Sequence, residues 1–210
     1  MRIAVIPARG GSRRIPRKNI KDFCGKPIIA YSIETALCTH LFDRVIVSTE
    51  DDEIAMSARR YGAAVLWRPE HLAEIGVPDC GTQEVTRHVV IAACPTAPVT
   101  NDCACCIYAT APLMTKEDLW AGFAMLASGV TPYVYAACGE IDAGEWYWGK
   151  ARAFYDRIPL EGNSQLYQLP PERYCDINEP ADWLRAEQMF DELRRNNGNG
   201  TGKRLGGRVR

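Results

Sequence analysis

Apolar and polar positions along this chain fall into blocks that alternate between a period of two and a period near that of a helix. Ile3-Ala4-Val5-Ile6 is a short β-branched apolar run, the pattern of a buried strand, and it stops at Pro7. Asn19 to Lys26 reads as a turn containing Gly25, and Pro27 opens an amphipathic helix to about Cys38. Phe42–Thr49 is the second predicted strand. Glu50-Asp51-Asp52 then places negative charge in the first turn of a helix that ends near Tyr61, before Gly62. Ala63–Trp67 is a third strand, so the order strand–helix–strand–helix–strand predicts a parallel, doubly wound α/β sheet.

The second half continues the pattern. A helix is expected from Thr82 to about Ala93, a loop from Cys94 to Asn101, and a core strand from Asp102 to Ala109. Thr115 and Asp118 have the spacing of a capping box at the head of the next helix. Pro132–Cys138 and Trp146–Gly149 read as strands, with Asp142-Ala143-Gly144 as the entry to the latter, followed by a short helix from Lys150 to Asp156. Leu166–Leu169 and Tyr174–Ile177 are short strand-like pieces. Pro180–Arg195 is an amphipathic helix presenting Trp183, Ala186, Met189, Phe190 and Leu193 on one face. Residues 196–210, rich in Gly, Asn and basic side chains, are expected to be a disordered tail, leaving 1–195 as a single domain. No internal repeat is visible.

Size and charge narrow the picture. A chain of 210 residues can bury a sizeable core without disulfides. A net charge of −1 argues against a general nucleic-acid binder. No apolar run approaches the roughly 20 residues needed to span a bilayer, and no leader opens the chain, so a cytoplasmic location without membrane attachment is expected. Nine cysteines include the C-x-x-C of Cys103-Ala104-Cys105-Cys106. No second ligand pair accompanies it, and His40, His71 and His88 are scattered. Buried thiols inside a strand are therefore the favoured reading over a metal or redox site.

The densest chemistry follows the first strand. Arg9-Gly10-Gly11-Ser12-Arg13-Arg14-Ile15-Pro16-Arg17-Lys18-Asn19 joins adjacent glycines to five cations, with no acid before Asp22. Glycines let backbone N–H groups approach an anion closely, and guanidinium groups add charge-assisted bonds to phosphate oxygens. The loop is neither a Walker motif nor GxGxxG. Directly after a buried strand, it reads as a phosphate loop rather than a solvated basic turn. In an open α/β sheet, ligands bind beyond the carboxyl ends of the strands, where Arg68 and Thr110 are also expected.

The run P-A-R-G-G-S-x-R-I-P-x-K-N resembles the nucleotide-binding signature of the nonulosonic (sialic-type) acid cytidylyltransferases. Phe23–Ile33, Phe42–Thr49, Cys106–Pro112 and Asp142–Gly149 are most similar to the pseudaminic acid branch, and the resemblance runs in order from about Ile3 to Leu193. It implies a Rossmann-like nucleotidyltransferase fold, a three-layer sandwich related to the glycosyltransferase-A type. It also implies transfer of CMP from CTP to a sugar acid, releasing pyrophosphate. By the same resemblance Arg9, Gly10, Gly11, Ser12, Arg13, Lys18, Asn19 and Arg68 hold CTP, and Asp79, Thr82, Gln83, Thr110 and Asp142 face the sugar. Arg9, Arg13 and Asp176 carry the catalysis.

Two departures from the family pattern stand out. The family has Asp-x-Asp as a Mg²⁺ site where this chain has Asp176-Ile177-Asn178, so Asp176 is the expected ligand and Asn178 offers at most a neutral oxygen. Only Gly139-Glu140-Ile141 stand where the family carries an inserted segment that builds much of its dimer interface, which leaves homodimer formation open. Turnover on N-acetylneuraminic or another keto-sugar acid, and a shortened CTP-binding relative without turnover, are the alternatives.

Overall fold

The computed structural model describes residues 1–72, 81–94 and 101–199, with side chains through residue 196. Strand β1 (Arg2–Pro7) leads through the basic loop and a small antiparallel ribbon, β2 (Asp22–Phe23) and β3 (Lys26–Pro27), into helix α1 (Ile28–Cys38). Next come β4 (Arg44–Thr49), α2 (Asp52–Arg60), β5 (Ala64–Trp67), α3 (Thr82–Ala93) and β6 (Cys103–Ile107). The remainder is α4 (Lys116–Ser128), β7 (Tyr133–Cys138), β8 (Ile141–Lys150), α5 (Ala151–Tyr155), β9 (Ser164–Gln168) and α6 (Pro180–Asn199).

Seven strands form one sheet in the order β5-β4-β1-β6-β8-β7-β9. Only β8 runs antiparallel to its neighbours; the other pairs are parallel. The expected mostly parallel α/β sheet is therefore present. Alternation sends Ala4 and Ile6 of β1 to one face, against Ile29 and Ile33 of α1, Ile54 of α2 and Leu119 of α4. Ile3 and Val5 face the other way, toward Val89 of α3. Tyr133, Tyr147 and Phe154 continue that second layer around α5.

Local signals fix several boundaries. Asp51 caps α2 by accepting the Ile54 N–H at 3.0 Å, and Gly62 leaves the helix at φ +92. Thr115 and Asp118 form the expected capping box on α4. At α6, Asp182 reaches back to accept the Asn178 and Glu179 N–H groups at 3.0 and 2.8 Å. The predicted face of α6 is also present, with Trp183 and Ala186 buried against Phe23 and Ile28 and with Met189, Phe190 and Leu193 beside them.

Four expectations change. Asp142-Ala143-Gly144 is not an entry turn but part of the ten-residue β8, joined to β7 by the tight Gly139-Glu140 turn. Gly144 at φ +61 and a register irregularity between Tyr135 and Ala137 break the alternation that would have revealed it. Tyr174–Ile177 is not a strand; the segment pairs with no neighbour, and the sheet ends at β9. That segment is extended with Cys175 and Ile177 buried against Trp183, so a period of two appears without a ladder. Pro27 precedes α1 at the N-cap rather than opening it. Finally, α6 continues to Asn199, past the predicted end at Arg195.

Candidate active site

The carboxyl ends of β1, β5 and β6 converge on a cleft of about 490 Å³. Its lining includes Arg9, Ser12, Arg13, Lys18, Asn19, Arg68, Thr82 and Thr110, which were expected from the sequence, together with Arg14, Tyr108, Val85 and Asn178. Five cations, Arg9, Arg13, Arg14, Lys18 and Arg68, line it, and no carboxylate does among the described residues.

The loop between β1 and the ribbon is held at several points. Gly10 N–H donates to Glu50 Oε1 at 2.7 Å, and a Cβ at Gly10 would strike the Asp51 carboxylate, so this close approach needs glycine. A Cβ at Gly11 would meet nothing within 4 Å. The loop's field is thus not free of acids once folded: Arg17, at φ +56, pairs with Asp51 at 2.5 and 2.9 Å and with Glu53 at 2.9 Å. Asn19 is mostly buried and donates its amide to the Arg9 carbonyl at 2.9 Å, which ties the loop's two ends together. Among the described residues, neither Arg9 nor Arg13 has a side-chain hydrogen bond or ion pair. Both are left to face the cleft.

The other cations are anchored. Arg68 is buried and donates to the Ser48 carbonyl at 2.7 Å, with Glu50 at 4.0 Å. Lys18 donates to the Ile177 carbonyl at 2.7 Å; burial lowers its ammonium pKa, with Arg14 and Arg9 adding repulsion and Asp176 opposing. On the opposite wall Thr82 Oγ1 accepts from Tyr147 at 3.2 Å and lies 3.5 Å from the Tyr108 hydroxyl. Burial raises the Tyr108 pKa, which keeps that phenol protonated.

Not every expected residue joins the cleft. Gln83 donates to Tyr133 Oη at 3.1 Å and to the Ile158 carbonyl at 2.6 Å, which spends its amide on the α5 side. Asp142 is outside the lining and accepts the Gly144 N–H at 2.9 Å. Surrounding atoms strip enough water from Asp142 to raise its pKa, and Asp176 adds to the rise. Asp79 lies outside the described residues. Tyr108 and Arg14 were not singled out as binding residues from sequence, although Tyr108 ends the strand leading to Thr110.

Asp176 is exposed beside Gly144, where an added Cβ would be 3.3 Å from its carboxyl carbon. Asn178 Nδ2 donates to Asp176 Oδ2 at 2.5 Å, while Asn178 Oδ1 accepts from Arg14 at 2.9 Å. Reversing the amide would set its donors against a guanidinium and its oxygen against a carboxylate, so this arrangement is the one that satisfies both neighbours. Among the described residues no three His, Cys, Asp or Glu side chains converge as a metal site. Asp176 suits Mg²⁺, which takes one or two carboxylates and completes its shell with phosphate and water; Asn178 brings no charge, and its neutral oxygen already accepts from the Arg14 cation. The segment is steadied by Arg173, which clasps both oxygens of the buried Asp118, and Asp118 Oδ1 also accepts from Tyr167 at 2.9 Å.

Cys103, Cys105 and Cys106 are all buried inside β6, and burial drives the Cys106 thiol up to about 11. They are packing residues there, as expected.

A family model for cytidylyltransferases matches residues 3–148, which span the basic loop, Arg68 and most of the β8 strand. This chain belongs to the cytidylyltransferase family. Pseudaminic acid cytidylyltransferase of Campylobacter jejuni is 38% identical over 173 residues, covering 82% of this chain and 68% of that protein. CMP-N,N'-diacetyllegionaminic acid synthase of Legionella pneumophila is 51% identical over 72 residues, covering 34% of this chain and 31% of that one. Among solved structures, CMP:2-keto-3-deoxy-manno-octonic acid synthetase complexed with CTP superposes with a TM-score of 0.70 at 16% identity. That match covers 91% of this chain and 99% of the other, and it establishes the shared nucleotidyltransferase fold. Among the described residues, no helix is long and apolar enough to cross a membrane.

Proposed function

We propose that this cytidylyltransferase transfers CMP from CTP to the anomeric hydroxyl of a nonulosonic acid, with pseudaminic acid as the favoured substrate, and releases pyrophosphate. The observation that carries this reading is the cleft itself: five cations and no carboxylate line it, and Arg9 and Arg13 lack any protein partner among the described residues. That charge pattern suits a triphosphate. The similarity to a pseudaminic acid cytidylyltransferase over most of both chains supports the choice of sugar.

In this account the sugar hydroxyl attacks the α-phosphorus in line with the departing pyrophosphate. Arg9 and Arg13 bear on the phosphate oxygens where charge builds up, and preorganised donors of that kind act mainly on the transition state. Gly11, with open space at its Cα, lets the backbone approach the phosphates. Lys18 and Arg68 are fixed by backbone carbonyls and keep their direction when the nucleotide arrives. Thr110 and Thr82 face the cleft as hydroxyls for the sugar acid. Asp176 would hold Mg²⁺, which neutralises triphosphate charge when bound.

A second reading, CTP binding without turnover, is favoured by one feature: the Asn178 oxygen is committed to Arg14. Pyrophosphate release with CTP, Mg²⁺ and pseudaminic acid separates the two, with UTP and acid-free reactions as controls. The proposal expects acid-dependent release that falls by about 10²-fold or more in Arg9→Ala. Near-normal turnover in that variant would remove Arg9 from the phosphate site.

A further inference from the structure

Arg9, Arg13, Arg14 and Lys18, all from the one loop after β1, line the same cleft with no carboxylate beside them among the described lining residues. A loop carrying that density should splay unless something outside it holds its backbone. Ile177 and Asn178 hold Lys18 and Arg14 from one side, and the groups that hold the loop at Gly10 and Arg17 come from the head of α2. Glu50 accepts the Gly10 N–H at 2.7 Å, at the start of the loop. At its end, Asp51 receives both Arg17 Nη atoms at 2.5 and 2.9 Å, and Glu53 takes Nη2 at 2.9 Å. The Asp51 carboxylate packs so closely on Gly10 that a Cβ there would collide with it. Asp51 also caps α2 through Ile54, so the anchor is rooted in a helix rather than in another loop.

We infer that Arg17 and Asp51 are positioning residues for CTP: their ion pair fixes the loop so that Arg9 and Arg13, the two cations without partners, aim at the triphosphate. Arg17 is then distinct in kind from its basic neighbours. Its guanidinium points away from the cleft lining and toward α2, and its backbone adopts the left-handed conformation, φ +56, which an arginine enters at a cost. Such a cost is retained where the surrounding contacts over-determine the geometry. The forked, two-point contact with a carboxylate supplies that determination, and a lysine could offer only a single point.

This inference rests on the proposed CTP site, and the test keeps the two apart. CTP binding is measured by calorimetry without sugar acid, for wild type, Asp51→Asn, Arg17→Gly and Arg17→Lys, alongside thermal midpoints and steady-state kinetics. Asp51→Asn keeps an oxygen for the helix cap but loses the charge; Arg17→Gly keeps the left-handed backbone but loses the fork. Both should weaken CTP binding and raise KM for CTP about tenfold or more, with KM for the sugar acid and the thermal midpoint near wild type. Arg17→Lys should recover part of the loss. Unchanged CTP affinity in Asp51→Asn and Arg17→Gly overturns the inference. So does a loss that tracks a lowered thermal midpoint and affects both substrates alike. A wild type that fails to bind CTP overturns the functional reading, and this one with it.

Discussion

Glu145 lies on β8 with 3% of its surface exposed, and its Oε2 has no hydrogen-bond partner among the described residues. Burial pushes its carboxyl from the usual 4.5 up to about 8, the Asp118 carboxylate adds to the rise, and Arg173 opposes it. The folded protein therefore keeps a proton on Glu145 that the unfolded chain releases. A raised pKa means that the contribution to stability is complete below about pH 4.5 and is lost as pH climbs through about 8. Replacing Glu145 by Gln keeps the shape and removes the titration. At about 1.4 kcal/mol per pH unit, the advantage of the Gln variant over wild type should grow by at most about 5 kcal/mol between those limits, and by roughly 3 kcal/mol up to pH 7. Urea unfolding of both proteins at several pH values from 4.5 to 8.5 reads this difference directly, because groups remote from position 145 titrate alike in the two. A wild-type-to-variant difference that stays flat across the range would refute the assignment of a protonated carboxyl at this position.

Two further outcomes follow from contacts elsewhere. A Cβ at Gly122 of α4 would come within 2.5 Å of Trp146 Cζ3 and 2.9 Å of Trp148 Cδ1, two buried indoles that cannot easily move. Gly122→Ala gains about 1 kcal/mol of helix propensity but overpacks the core by about 1–3 kcal/mol or more. Chemical denaturation should show a net loss, and equal or higher stability would mean that the Trp layer is looser than described. Asn178→Asp places a second carboxylate beside Asp176 and opposite Arg14. The Mg²⁺ concentration for half-maximal pyrophosphate release should fall, and an unchanged Mg²⁺ dependence would remove position 178 from the metal's surroundings.

Much of the architecture was legible because strand and helix periods are clean where one face is buried. β1, α2, β4 and β6 follow their apolar patterns, and the Thr115–Asp118 box was readable from spacing alone. The errors fall where local pattern and pairing part company. Tyr174–Ile177 alternates like a strand because Cys175 and Ile177 pack on Trp183, but it pairs with no strand of the sheet. The Gly144 irregularity hides the first half of β8. At the site, the basic loop announced itself by composition, yet composition could not separate its members. Arg9 and Arg13 face the cleft, while Arg17 turns to α2, since the acids that claim it are 34 and 36 residues away in the chain. That Gln83 turns away from the cleft lining was hidden for the same reason: its partners Tyr133 and Ile158 are distant in sequence.

The most direct test of the functional account is the identity of the product. Purified protein would be incubated with CTP, Mg²⁺ and either pseudaminic or N-acetylneuraminic acid, and the nucleotide products read by mass spectrometry and ³¹P NMR. The account predicts a CMP-linked sugar with stoichiometric pyrophosphate, formed in preference from pseudaminic acid. Preferential use of N-acetylneuraminic acid would contradict the assigned sugar while keeping the reaction. Intact CTP, bound but unconverted with every acid offered, would contradict the reaction itself.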